Sequence, residues 1–178
     1  GTLHETPEGT TLTQERYAEG KTKDKTLWRI PLALRTPGKD IRILMSTKKL
    51  RLKGSVPLKV NAGETSYVRT TYVPNLVSLS HFADADKHGL LRDAFALSLL
   101  GKALSTDALL LAERMKRDRS YIVWEATIQG LTKIRNLLAG TSLEKSFDQY
   151  AEKLTRDVVL FVGSKTKKGE SHTLTLLR

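Results

Sequence analysis

Val60-Asn61-Ala62-Gly63-Glu64-Thr65-Ser66-Tyr67-Val68-Arg69-Thr70-Thr71-Tyr72-Val73-Pro74 is where this 178-residue chain changes character. Upstream of it, side chains alternate with period two and turn residues interrupt every few positions. Thr26 to Leu34 alternates at Trp28, Ile30, Leu32 and Leu34, and Thr10 to Tyr17 is rich in β-branched residues. Ile41 to Met45, Leu58 to Asn61 and Tyr67 to Tyr72 complete a set of short strands, punctuated by Gly20, Pro37-Gly38, Gly54 and Ala62-Gly63. Short strands with turn signals between them read as a small β-sandwich. Pro31 lies inside the second strand and marks it as an edge or a bulge, because proline has no N–H to give a ladder.

Downstream of Pro74 the periodicity becomes helical. Gly89 to Lys102 carries an apolar stripe through Leu90, Leu91, Ala94, Phe95 and Leu97. Ser105 or Thr106 can cap a helix over Asp107 to Met115, and Ser120 one running to Leu138 and ending at Gly140. Thr141-Ser142-Leu143-Glu144 has the form of a capping box. It opens a helix expected to face Leu143, Phe147, Tyr150, Leu154, Val158 and Phe161/Val162 towards the core. A basic loop, 163–169, precedes a last apolar segment with Leu174, Leu176 and Leu177. The expected fold is therefore a β-sandwich (1–74) followed by an all-α antiparallel helical array (75–178), as two segregated domains.

Composition bounds the chemistry. Apolar residues at 39% and charged residues at 28% fit an ordinary globular chain, and no apolar run approaches the about 20 residues of a membrane helix. With no cysteine, disulfides and thiolate metal sites are out of reach, and a reducing compartment such as the cytoplasm is weakly favoured. The start at Gly1, without Met or a basic and apolar leader, suggests an internal beginning and no signal peptide. The formal charge of +11 raises the question of nucleic acid. Its lysines and arginines fall in scattered clusters, at Lys21/Lys23/Lys25, Lys48/Lys49/Arg51/Lys53, Lys116/Arg117/Arg119 and Lys165/Lys167/Lys168, without interleaved aromatics. That distribution argues against a nucleic-acid footprint and leaves a weak polyanion binder as the least favoured reading.

No catalytic constellation is legible. His4-Glu5 begins like the zinc motif HExxH, but Glu8 stands where the second histidine belongs and Pro7 would break the helix. His81 and His88 have no third ligand in range, and His172 stands apart. Asp84 and Asp86 read as helix-start carboxylates, and Asp93, Asp118 and Asp157 as salt-bridge partners. The expectation is no catalytic residue, no metal ligand and no cofactor within this chain.

The order of several short motifs nevertheless resembles a known family. Leu12-Thr13-Gln14-Glu15-Arg16-Tyr17, Trp28-Arg29-Ile30-Pro31-Leu32, the Val60–Tyr72 stretch and Gly89-Leu90-Leu91-Arg92-Asp93-Ala94-Phe95 follow one another as in the gluzincin zinc aminopeptidases. That group includes puromycin-sensitive, membrane alanyl and endoplasmic-reticulum types. Tyr121-Ile122-Val123-Trp124 looks like its Y-x-V-W. Ser66 replaces a usual Gly and Val68 a usual aromatic. Lys87 stands where the family has Arg, and Asp118 where it has Glu. The family's zinc helix and exopeptidase strand belong upstream, so no catalytic residue carries over.

The resemblance implies a spacer domain leading into the truncated start of a C-terminal helical bowl. The parent would be a zinc metallopeptidase, with its upstream catalytic domain as partner and peptide substrate met indirectly. The residues carried over as a structural motif are Trp28, Pro31, Asn61, Gly63, Tyr67, Arg69, Tyr72, Asp93, Tyr121 and Trp124. Trp28 and Trp124 are expected as core anchors. Arg69, on a strand face shared with Tyr67 and Thr71, is expected to reach carbonyls at the sandwich–helix junction. The alternative reading is a stand-alone protein- or peptide-binding helical module, self-associating through Leu174, Leu176 and Leu177.

Overall fold

A computed structural model describes residues 2–6, 9–20, 23–52, 59–71, 79 and 82–178. Six short strands come first. β1 (Thr2–Thr6), β2 (Gly9–Thr13) and β5 (Lys49–Leu52) form one antiparallel sheet in the order β1-β2-β5. β3 (Ile30–Thr36), β4 (Lys39–Met45) and β6 (Lys59–Val60) form a second, in the order β4-β3-β6. Leu12 from the first sheet and Leu32, Leu34, Met45 and Val60 from the second are buried in one apolar cluster. The alternation read from the sequence thus places Leu32 and Leu34 of β3 inwards on one face.

Pro31 is a departure from expectation. Its strand is central, with Pro31 opposite Leu44 of β4, but β6 pairs β3 only at Leu34 and Arg35. Among the described residues no strand pairs the other flank of β3 at Pro31, which is locally an edge there, as a residue without an N–H requires. Tyr67 to Thr70 do not form the expected strand. Their amides are used elsewhere: Val68 N donates to Ser66 O at 2.9 Å and Thr70 N to the Asp93 carboxylate at 2.9 Å. Tyr72 and Pro74, and the domain boundary expected there, lie outside the described residues.

Five helices follow: α1 (Asp84–Leu99), α2 (Ser105–Arg114), α3 (Tyr121–Leu138), α4 (Glu144–Val162) and α5 (His172–Leu177). α1 begins five residues before the expected Gly89, with Asp84 and Asp86 in its first turn, where carboxylates suit the helix dipole. It packs on α2 and α3 on one side and on a 3-10 turn, Ala62–Glu64, on the other. Leu90, Leu91, Phe95, Ala108, Leu111, Val123, Leu131 and Phe147 are among its shared core with the next helices. Gly130 of α3 lets the ring of Phe95 approach the α3 backbone.

Three helix expectations need correction. Neither Ser105 nor Thr106 caps α2, whose N-cap is Leu104 and whose first helical residue is Ser105. The Ser120 side chain makes no cap bond, although Ser120 is the N-cap. At α4 the cap is shifted: Glu144 accepts from Gly140 N at 2.7 Å and Thr141 Oγ1 from Leu143 N, leaving Leu143 itself exposed. Phe161 is also 45% exposed, so the inward stripe runs through Phe147, Leu154, Val158 and Val162, with half-buried Tyr150 packed beside them. Leu174 and Leu177 of α5 pack on Trp124, Val158 and Val162, so only Leu176 of that trio faces solvent. Self-association through this segment loses most of the apolar surface it would need. No described helix is long and apolar enough to cross a membrane.

Candidate functional site

The sheets meet α1 through a chain of charged side chains. Asp86, fully buried, accepts from Gly63 N at 2.7 Å and is paired with Arg35 of β3. Lys59, also buried, reaches Glu64 Oε1 at 2.6 Å, Asn61 O at 3.2 Å and Asp86 Oδ1 at 3.8 Å. Glu64 passes the connection to Arg92 of α1 at 2.7 Å. Asp93 closes it, bonded to Arg69 at 3.1 Å and to the backbone and hydroxyl of Thr70 at 2.9 and 3.3 Å. Burial pushes the Asp93 carboxyl above the usual carboxylate range, against the lowering effects of the Thr70 amide and the two arginines. A buried charge is tolerated when neighbours supply counter-charge and hydrogen bonds, and here every buried ion has both.

The local backbone explains how so many charges converge. Asn61 and Glu64 adopt left-handed φ values of 58° and 56°, rare for residues with a side chain. Asn61 meets the cost by closing the turn on both sides, giving Nδ2–H to Ser66 O at 2.9 Å and accepting from Ser66 N at 2.8 Å. Gly63 takes φ 70°. Gly89 of α1 presents no side chain, and a Cβ there would lie 2.0 Å from the Glu64 carboxylate. The glycine is therefore the seat into which Glu64 fits.

Beside this junction lies an open cleft of about 770 Å³, lined by residues including Gln14, Tyr17, Trp28, Pro31, Tyr67, Arg69 and Arg92. Tyr67 is fully exposed on its rim. The Arg69 guanidinium lies over the Tyr17 ring, 5.1 Å from its centre.

Trp28, expected as a core anchor, is 37% exposed and lines this cleft. Its backbone is instead clamped by buried Gln14, whose amide accepts from Trp28 N at 2.9 Å and donates to Trp28 O at 3.1 Å and to Thr47 O at 2.9 Å. Gln14 stands inside a quoted motif, yet its role escapes sequence reading, because a glutamine near a strand end carries no periodic signal. Arg69 reaches the Arg92 carbonyl at 3.4 Å as well as Asp93, from an irregular segment rather than a strand.

Trp28, Pro31, Tyr67 and Arg69 thus share the cleft, with Asn61, Gly63 and Asp93 behind it. Tyr121 and Trp124 lie apart, on α3. Trp124 is buried against Val158 and Val162 and donates its indole N–H to Asp118 O at 2.8 Å. Lys59, Glu64, Arg35 and Asp86 escape sequence reading as a group; only contact across the fold brings them together.

The carboxylates of this arrangement are occupied by ion pairs. Among the described residues no three His, Asp or Glu side chains converge as metal ligands. His88 is half-buried on α1 and His172 exposed on α5. His81 lies outside the described residues.

Residues 57–178 match the family model for the ERAP1-like C-terminal domain. Among curated relatives, mitochondrial aminopeptidase 2 of Saccharomyces cerevisiae is 26% identical over 94% of this chain and 19% of its own length. The tricorn protease-interacting factor F2 of Thermoplasma volcanium is 27% identical over 94% of this chain and 21% of its own. The alanine/arginine aminopeptidase of Saccharomyces cerevisiae is 32% identical over 71% of this chain and 16% of its own. The chain spans about a fifth of the length of these relatives. It belongs to the ERAP1-like C-terminal domain family, the C-terminal region of gluzincin aminopeptidases.

Proposed function

We propose that this chain is the non-catalytic C-terminal portion of a zinc aminopeptidase. The two sheets form a small sandwich that acts as a spacer, and the helices begin a bowl that restricts which peptides reach the upstream catalytic domain. The observation that carries this reading is the junction. Residues of the Val60–Tyr72 motif and of the Gly89–Phe95 motif, matched separately in sequence, form one charged seam between sheet and helix. A seam whose carboxylates already have ion-pair partners suits a fixed joint better than a reaction centre.

Hydrolysis of aminoacyl-arylamides by the purified chain with added zinc tests the assignment. No turnover is expected. Activity that co-purifies with the chain through a second, orthogonal column would overturn it. For the peptide-access role, the parent enzyme carrying charge-reversed Arg92 is expected to change its preference among peptides of different length while keeping its rate on a single-residue arylamide. An unchanged length preference would count against the bowl.

A further inference from the structure

We infer that the cleft between the sheets and α1 binds a small aromatic acid carrying one carboxylate. This goes beyond the aminopeptidase reading and does not depend on it. The cleft holds about 770 Å³, the size of a small-molecule site, and its opposing walls both come from this chain. Trp28 and Arg29 stand on the approach to β3, Tyr67 and Arg69 on the segment after the 3-10 turn, and Arg92 and Leu97 on α1.

The charge of the ligand follows from the ion pairs in these walls. Five cations and two carboxylates line the cleft. Lys102 is bonded to Glu15 at 3.1 Å and Arg92 to Glu64 at 2.7 Å. Arg16 and Arg69 find carboxylates outside the lining, Asp24 at 3.0 Å and Asp93 at 3.1 Å. Among the described residues Arg29 is the one lining cation without an ion-pair partner. One unmatched guanidinium calls for one negative charge, and its planar fork suits a carboxylate. A phosphate dianion would bring a second charge for which the walls hold no unpaired cation.

The body of the ligand follows from the rings. Trp28, Tyr17 and Tyr67 all stay exposed at the cleft, where a flat apolar group can stack on them. The site is held in shape before anything binds. Buried Gln14 clamps the backbone of Trp28 from both sides, next to Arg29. The Ser66 hydroxyl donates to Pro31 O, which ties the Arg29 stretch to the Tyr67 stretch. The Tyr17 hydroxyl donates to Ala96 O of α1 at 3.4 Å, and the Tyr17 ring carries Arg69 on a face. Ordering the walls in advance lowers the cost of binding.

The test is a titration of the full chain with 2-naphthoate, read by saturation-transfer-difference NMR. Saturable binding is expected with Kd at or below about 1 mM. Arg29→Gln is expected to weaken it at least about tenfold, and Tyr67→Ala by several-fold. The neutral probe 2-naphthamide reports the same charge dependence on the unaltered chain and is expected to bind at least about tenfold more weakly. Arg42→Gln, which removes an exposed cation of β4 outside the cleft, is expected to leave binding unchanged. Binding that survives Arg29→Gln, or that Arg42→Gln weakens equally, would overturn the assignment. So would equal binding of the amide, tighter binding of 2-naphthyl phosphate, or no saturation below about 10 mM.

Discussion

Gly130→Ala should destabilise the chain, although alanine is the better helix former. A Cβ on Gly130 would lie 2.2 Å from Cδ2, 2.3 Å from Cγ and 2.5 Å from Cε2 of Phe95, more than an ångström short of ordinary contact. Phe95 is 2% exposed and packed among Leu91, Val123 and Leu131, so its ring has nowhere to swing. Either α1 and α3 separate or the ring leaves its rotamer. Overpacking of this kind costs about 1–3 kcal/mol, and the overlap here belongs at the upper end. The helix preference of alanine over glycine returns about 1 kcal/mol. The net expectation is a loss of about 2 kcal/mol. Urea unfolding followed by the fluorescence of buried Trp124 measures it. Phe95→Ala supplies the check. It removes all three clashing atoms, Cγ, Cδ2 and Cε2, so in the double variant the cost of Gly130→Ala should shrink by about 1 kcal/mol or more. A Gly130→Ala protein as stable as the parent, or strict additivity with Phe95→Ala, would refute the steric account.

Lys59→Met keeps the buried stem but removes the cation shared by Glu64 and Asp86, leaving each with one arginine. Equilibrium unfolding should show a loss of about 3 kcal/mol, with Lys59→Arg failing to restore it because the site is too enclosed. Two carboxyls should respond to pH in opposite senses. Arg178 holds Glu170 below its ordinary value of 4.5, so its contribution is present above that value and lost as pH falls through the folded one. The stability gap between the parent and Glu170→Gln should therefore close on acidification. Burial raises Asp93, so ionising it costs the folded state as pH rises past its ordinary value of 3.8. Relative to the parent, Asp93→Asn should gain stability from acid to neutral pH. Denaturation midpoints taken across the acid range check both slopes.

Periodicity made the large elements legible. Ile30, Leu32 and Leu34 in β3, and the stripe of α3 from Val123 to Ile134, needed no partner to be read, because one face of each element is buried over most of its length. What escaped was whatever depends on a second element. Trp28 looks like an anchor by size and alternation, but Gln14 fixes its backbone and turns the ring to the cleft. Tyr67 to Thr71 reads as a strand on β propensity, yet Asp93 of α1 takes the Thr70 amide a ladder would need. Asp86 looks like a surface carboxylate at a helix start; its burial is set by Arg35 and Lys59 from β3 and β6, which local sequence does not announce.

Lys87 and Asp118 are bonded to one another at 2.8 Å, which joins the start of α1 to the loop before α3. That loop is held in place twice more, by the Asp118 carboxylate on Ser120 N at 2.9 Å and by the Trp124 indole on the Asp118 carbonyl at 2.8 Å. Trp124 in turn is the floor on which Val158, Val162 and α5 pack. One ion pair therefore ties the junction end of α1 to the far end of the α3–α4 pair. Removing either charge, by Lys87→Met or Asp118→Ala, would leave a partly buried charge without this partner and is expected to loosen the contact between α1 and the loop before α3, seen as a lower urea midpoint.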